Sequence, residues 1–462
     1  MTPVLPLIRK QTVAAYYNVP EHFQVYTERQ IDKIEALKQL SEAQRFEMKV
    51  VANVLPFRVN KYVIEHLIDW QKVPDDPIFQ LVFPQKGMLS PNDFEHMASV
   101  LRSTNDRSII VQNANEIRHR LNPHPAEQQS LNVPCEDNEP IEGIQHKYRE
   151  TVLFFPGQGQ VCHSFCSFCF RWAQFIGDKN LRFSNTEAEK LHQYLARYKS
   201  ISDLLITGGD PMVMKTDHLV AYLEPLLRPE FDHIQTIRVG TKSLSFWPHR
   251  YVSDEDSNQL IILLEKMVKA GKHIAIMAHF NHWREMVTPV VQEAISRLRA
   301  SGVVIRTQSP LLNHINNDPE VWAYMWREQV RLGLVPYYMF VERDTGARRY
   351  FEVPLLRAWQ VYREALQRVS GLGRTVRGPS MSAGPGKVEI QGVSEINGEK
   401  VFVLRFLQAR NPNWVQQPFF AQFDPEATWL DQLKPALGEE KFFFQDEYDA
   451  MQKKQTSPRA YE

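Results

Sequence analysis

The chain has 462 residues, 54 Lys+Arg against 54 Asp+Glu, four cysteines, 43% hydrophobic and 23% charged residues. Balanced charge and a pI near 7.3 give no overall pull toward nucleic acid or anionic lipid, so neither is expected as a partner. No apolar run approaches the roughly 18 to 20 residues that span a bilayer, and the start lacks a charged segment followed by a long apolar one, so a cytoplasmic location is expected. Four cysteines in so long a chain cannot form a disulfide framework.

In chain order, residues 1–135 read as a helical region and connection, with a helix expected over Gln30 to Val51, where Ile31, Ile34, Leu37 and Leu40 recur at helical spacing. The polar, proline-bearing LNPHPAEQQSLNVPCEDNEP follows as an extended connection. Residues 136–355 alternate β-like runs (Val152 to Phe155, Asp203 to Thr207, Ile234 to Gly240, His273 to Ala278, Val303 to Gln308, Val335 to Val341) with amphipathic ones. Among the helix candidates are Thr186 to Lys199, Glu255 to Ala270, Pro289 to Ala300 and Pro319 to Leu332. Six such βα units predict an α/β fold, an incomplete barrel with a helical N-terminal segment and a C-terminal extension; a doubly wound open sheet is the alternative. Residues 356–462 hold a further helix, the turn-like GLGRTVRGPSMSAGPGK, β-like runs at Val388 to Gly392 and Lys400 to Phe406, and a polar tail.

Three of the cysteines, Cys162, Cys166 and Cys169, stand at Cys-x3-Cys-x2-Cys directly after the first of those strands. Three thiolates on a short loop suit a [4Fe–4S] cluster with one iron left open, the vacancy that S-adenosylmethionine fills when it is reductively cleaved. The alternatives are a zinc knuckle completed by His163, or three incidental thiols. Cys135 has no partner in the pattern and reads as structural.

With these residues in place the chain resembles the lysine 2,3-aminomutase family of radical S-adenosylmethionine enzymes. The resemblance runs from Glu136 to Phe406 through EDNEPIEGIQHKY, CHSFCSFCFR, LLITGGDP, IRVGTKS, AHFNH, RTQSPLLNHINND, PYYMF and GPGKVEI, in family order. It implies an incomplete (β/α)6 barrel, with site residues at the C-terminal ends of the strands. It also implies that Gly208, Gly209 and Asp210 meet the amino group of S-adenosylmethionine, with His279 and Gln308 contacting the same cofactor. Lys387, ending Gly384-Pro385-Gly386, is implied to carry pyridoxal 5′-phosphate, with Lys147 and Tyr148 near the phosphate; Thr151 replaces an arginine of the pattern.

The implied reaction is a 2,3-amino shift. A 5′-deoxyadenosyl radical removes a β-hydrogen while pyridoxal phosphate holds the α-amine as an imine, and nitrogen migrates through a three-membered ring. Arg171 matches the arginine that receives the substrate carboxylate. Where lysine-specific members place two aspartates, this chain has Arg343 and Ser380, the charge pattern described for glutamate-specific relatives. Facing an arginine, a lysine ammonium would be repelled, so glutamate or another acidic amino acid is the expected substrate. The alternatives are lysine, or a radical enzyme without pyridoxal phosphate acting on another substrate, or a non-enzymatic metal-binding interaction protein. Asp344, adjoining Arg343, would restore an acid if the register slipped by one. An external electron donor such as flavodoxin or ferredoxin and a homo-oligomer are implied too, without the inter-subunit zinc cysteines that some members use.

Overall fold

A computed structural model describes residues 22–128, 131–136, 139–178 and 182–454. Asp137 and Asn138 of the first family-like segment, the chain start and the end of the polar tail lie outside the described residues. Eleven strands form one sheet in strict chain order. They are β1 (Ile144–Tyr148), β2 (Thr151–Phe154), β3 (Asp203–Ile206), β4 (Thr236–Thr241), β5 (His273–His279), β6 (Val304–Leu311), β7 (Val335–Val341), β8 (Arg377–Ser382), β9 (Gly386–Ile396), β10 (Glu399–Ala409) and β11 (Pro418–Gln422). Strands β2 to β8 are mutually parallel, and β1 and β9 to β11 add antiparallel at the two ends. The order never reverses, so the crevice at a reversal point that defines a doubly wound sheet is absent.

Five of the six expected strands lie within a few residues of their expected bounds, and Val335–Val341 coincides with them. Amphipathic helices cross between them: Ala188–Arg197, Ser257–Lys269, Pro289–Ala300 and Pro319–Arg331 bury their apolar faces on the sheet. Two of these take proline at the first helical turn, where the missing N–H costs nothing.

The sheet is larger than the six expected strands. Part of the turn-like run after Gly371 is in fact β8, a seventh parallel strand. Its small residues permit close approach: a Cβ at Gly378, where φ is +141°, would stand 2.3 Å from the Met339 carbonyl oxygen. The helix expected over Gln30 to Val51 starts only at Glu42, after two 3₁₀ turns, because Ser41 caps it by accepting from the Gln44 N–H while Gln44 reaches back to the Ser41 N–H.

The N-terminal helical layer closes over the C-terminal ends of the parallel strands. Its core joins Val50, Phe79, Phe83 and Met97 to Trp172 and Phe246 from the loops after β2 and β4. Each such side chain withdrawn from water contributes about 1.5–3 kcal/mol. A separate core under β8 to β11 includes Met381, Phe402, Phe406 and Trp414. Among the described residues, no helix is long and apolar enough to cross a membrane.

Candidate active site

The cysteine loop follows β2 and is sewn to its surroundings on both sides. Toward the helical layer, the Phe165 N–H donates to the Arg58 carbonyl (2.7 Å), the Ser167 N–H to the Leu81 carbonyl (2.9 Å), and the Asn60 N–H to the Ser164 hydroxyl (2.9 Å). On the other side, the Asp210 N–H donates to the Val161 carbonyl at 2.8 Å. The glycines of Gly208-Gly209-Asp210 make that contact possible: a Cβ on Gly209 would lie 2.5 Å from the Val161 nitrogen. The Asp210 carboxylate accepts from the Thr241 hydroxyl (2.6 Å) and the Lys242 (2.9 Å) and Met212 (3.0 Å) N–H groups, and burial raises its pKa to about 6. Those bonds make Asp210 a brace between the ends of β3 and β4.

Burial pushes all three thiol pKa values up, Cys169 to about 11; Cys162 is further raised by Asp210 and by the other two thiols, and Cys166 by Cys169, Glu285 and Asp210. Arg171 beside Cys162 and Cys169, and Lys242 beside Cys166, act in the opposite sense and favour thiolates. Three mutually close thiols with cations at hand suit a multi-iron cluster, which takes its thiolates at separate corners. His163 is buried with its ring stacked on Trp247, and desolvation, with Arg250 and Arg58 nearby, lowers its pKa to about 3.

The rim also carries a polar network that sequence reading missed. Lys242 and Glu285 form a buried pair at 2.6 Å, and Lys242 Nζ also donates to Asn281 Oδ1 (2.9 Å) and the His279 carbonyl (3.3 Å). Its sequence signal is a lysine directly after a strand, within IRVGTKS. His279 sits beside Gln308 in strand register, and burial, with Lys242 and Arg171, holds its ring pKa near 3, so it is neutral.

The remaining candidates meet in one cavity of about 160 Å³. It brings together Lys147 and Tyr148 from β1, Arg171 from the cysteine loop, Arg343 from the end of β7 and Lys387 from β9, although β1 and β9 lie far apart in strand order. The sheet therefore curls until its two ends share a wall. Asp210, His279 and Gln308 do not line this cavity.

Lys387 is half-buried, with Nζ 4.0 Å from the Tyr338 ring centroid and 3.4 Å from Gln408 Oε1. Desolvation first, then the Arg238, Arg377 and Arg343 charges, lower its pKa to about 7. A lysine held near neutrality among cations is the form that attacks a carbonyl carbon. That donor chemistry, with Lys147, Arg171, Arg238 and Arg343 on the same wall, fits a site for an aldehyde cofactor bearing an anionic group.

Arg171 donates to Thr207 Oγ1 (2.6 Å) and the Gly208 carbonyl (2.8 Å). It and Arg343 both lie against the Phe170 ring, with guanidinium carbons 4.9 and 4.3 Å from its centroid. Arg343, not Asp344, lines the cavity; the Asp344 side chain turns to Asn122, whose amide donates to it at 3.2 Å. Ser380 is placed otherwise than expected: it is fully buried, outside the cavity lining, and Ser382, two residues along the same strand face, takes the wall position. Lys147 donates to the Ala383 carbonyl, and burial raises the Tyr148 pKa to about 12. Cys135 stands in a two-residue strand paired with Glu139–Pro140.

No family model matches the chain. Among curated proteins, one from Aquifex aeolicus (strain VF5), whose L-lysine 2,3-aminomutase assignment is itself provisional, is 28% identical over 406 residues, covering 88% of this chain and 95% of that protein. The glutamate 2,3-aminomutase of Clostridioides difficile (strain 630) is 30% identical over 226 residues, covering 49% of this chain and 50% of that enzyme, so this relative is matched over half its length. Among solved structures, Streptococcus suis SuiB bound to S-adenosylmethionine aligns over 62% of this chain and 61% of its own at 14% identity, with a TM-score of 0.36.

Proposed function

We propose that this chain is a member of the lysine 2,3-aminomutase family, to which its relatives point, and that it is a radical S-adenosylmethionine, pyridoxal phosphate-dependent 2,3-aminomutase acting on glutamate or another acidic amino acid. The curled sheet is then the family's partial barrel. One observation carries the substrate reading: beside Lys387 the cavity is lined by four cationic side chains, Lys147, Arg171, Arg238 and Arg343, and among the described residues no carboxylate lines it.

Cys162, Cys166 and Cys169 would hold the [4Fe–4S] cluster, with an electron from a flavodoxin- or ferredoxin-like donor, and Lys387 would hold pyridoxal phosphate. When bound, these groups supply a carbon radical and a covalent hold on the amine. The chain's own residues do the rest. Arg171, braced by Thr207 and the Gly208 carbonyl, presents a fixed guanidinium to the α-carboxylate. Arg343, stacked on the same Phe170 ring, presents a second one to the distal carboxylate. Two anchors against one aromatic ring would hold the two carboxylates of the substrate and so limit its orientations. The helical layer packs against that loop through Phe168, Trp172 and Ala173.

Lysine, the substrate in the name of the Aquifex relative, would bring an ammonium into a cation-lined wall with no acid to meet it. The test is anaerobic reconstitution with iron, sulfide and pyridoxal phosphate, incubation with glutamate, aspartate, lysine and arginine, and chromatography for β-amino acids. β-Glutamate is expected from glutamate, whereas the same shift on aspartate regenerates aspartate and gives no new peak; product from lysine alone would overturn the substrate reading. Failure to cleave S-adenosylmethionine with dithionite would remove the radical reading.

A further inference from the structure

The cavity's cations fall at two depths. Arg171 and Arg343 follow the ends of β2 and β7 and share the Phe170 ring, at the rim. Deeper, near the starts of the parallel strands, lie Thr151, opposite Tyr148 in register and next to Lys147, and Arg238, the third residue of β4. Thr151 opens β2 and Asp203 opens β3, and the two are register partners.

Arg238 is held by a clamp. Its Nε donates to Asp203 Oδ1 at 2.8 Å and one Nη donates to Oδ2, while the Thr151 hydroxyl donates to the same Oδ2 at 3.1 Å. Both members of the ion pair are largely buried, at 17% and 21% side-chain exposure. Among the described residues no hydrogen bond engages the remaining Nη, and the side chain lines the cavity with Thr151, Leu153 and Leu205. Thr151, where the resembling family has an arginine, thus steadies the acid that orients an arginine two strands away.

We propose that Arg238 is a phosphate anchor for the pyridoxal phosphate assigned above, supplying from β4 the cation that position 151 lacks, opposite Lys147 and Tyr148 on β1. The inference rests on that assignment. A phosphate dianion calls for more than one cation. The rim pair suits the two carboxylates of an acidic substrate, which leaves the deep group for the cofactor. Asp203 is a positioning residue: it fixes the guanidinium plane before the cofactor arrives, so less side-chain freedom is lost on binding.

Two ligands separate the phosphate contact from general packing: pyridoxal phosphate, and pyridoxal, which lacks the phosphate. Their dissociation constants are measured on the full-length protein from the visible band of the lysine-bound aldehyde, at a pH above the Lys387 midpoint of each variant so that lysine protonation does not differ between them. In Arg238→Gln, pyridoxal phosphate is expected to weaken about ten- to a hundred-fold, with pyridoxal within about two-fold of wild type; Arg238→Lys should restore most of the loss. Equal weakening of both ligands would make Arg238 a structural residue and overturn the proposal, as would no weakening of either. If Arg238→Gln does not fold, Arg238→Lys carries the test through a selective loss of only a few-fold for the phosphorylated ligand, and equal effects on both ligands again refute it. A wild-type protein that forms no band with either ligand refutes the pyridoxal phosphate assignment itself, a result distinct from a wild-type band unaffected by Arg238→Gln.

Discussion

A titration of Lys387 tests the electrostatics of the cavity directly. With its pKa lowered from 10.5 to about 7, half of the side chain is neutral at pH 7, against roughly one part in three thousand for an ordinary lysine. Acetylation of the apo-protein with limiting acetic anhydride, read residue by residue by mass spectrometry, reports the neutral fraction. The rate at Lys387 should rise through a midpoint near pH 7 while surface lysines rise near 10.5. Arg238 contributes the largest charge effect on Lys387 after desolvation, so Arg238→Gln should move the midpoint upward. Linkage gives a second readout. A folded-state pKa below the unfolded one means that the unfolded chain binds more protons between pH 7 and 10.5, so stability rises with pH across that window, by up to about 1.4 kcal/mol per pH unit. Lys387→Met should remove that slope in denaturant melts. A Lys387 midpoint above about 9, or one unmoved by Arg238→Gln, would refute this account of the cavity.

Further outcomes follow from the same geometry. Arg343→Asp removes the rim cation and should lower kcat/KM for the acidic substrate by roughly 30-fold to several thousand-fold (about 2–5 kcal/mol), measured by product chromatography; an unchanged value would detach Arg343 from the substrate. Cys166→Ala should abolish cluster absorbance and S-adenosylmethionine cleavage after reconstitution, with the far-ultraviolet circular dichroism retained. Gly209→Ala forces a Cβ toward the Val161 backbone and should destabilise by about 1–3 kcal/mol, read as a lower Tm, with reduced iron content because the cysteine loop is displaced. Lys242→Met leaves Glu285 buried and unpaired, at a cost of about 3–5 kcal/mol; Lys242→Met with Glu285→Gln should recover part of it in denaturant unfolding.

Period and spacing carried the parallel strands, because each is a short apolar run followed by an amphipathic helix, and local patterns of that kind survive in one sequence. β8 escaped because its residues were chosen for closeness: Arg377-Gly378-Pro379-Ser380 has turn composition yet pairs with β7. The Gln30 to Val51 segment has helical spacing throughout, but the cap at Ser41 decides where the helix begins. At the site, Cys162, Cys166 and Cys169 were legible because all three sit on one loop. Arg238 was not, since nothing local to IRVG indicates that Asp203, thirty-five residues earlier, will turn it inward. Ser380 and Ser382 share one strand face, so alternation alone could not choose between them; burial does.

The two ends of the curled sheet are joined in a different currency from the rest. Between neighbouring strands lie continuous ladders, but between β1 and the β8–β9 turn the link includes Lys147 donating to the Ala383 carbonyl, and nearby Arg410 donates to the Gly384 carbonyl (2.8 Å) and to Asn132. Such side-chain bonds are each worth about 0.5–1.5 kcal/mol net, and parting them disturbs no strand pairing. The wall beside Lys387 therefore has a clasp rather than a weld: a seam that can be undone and remade while the ladders on either side of it stay intact.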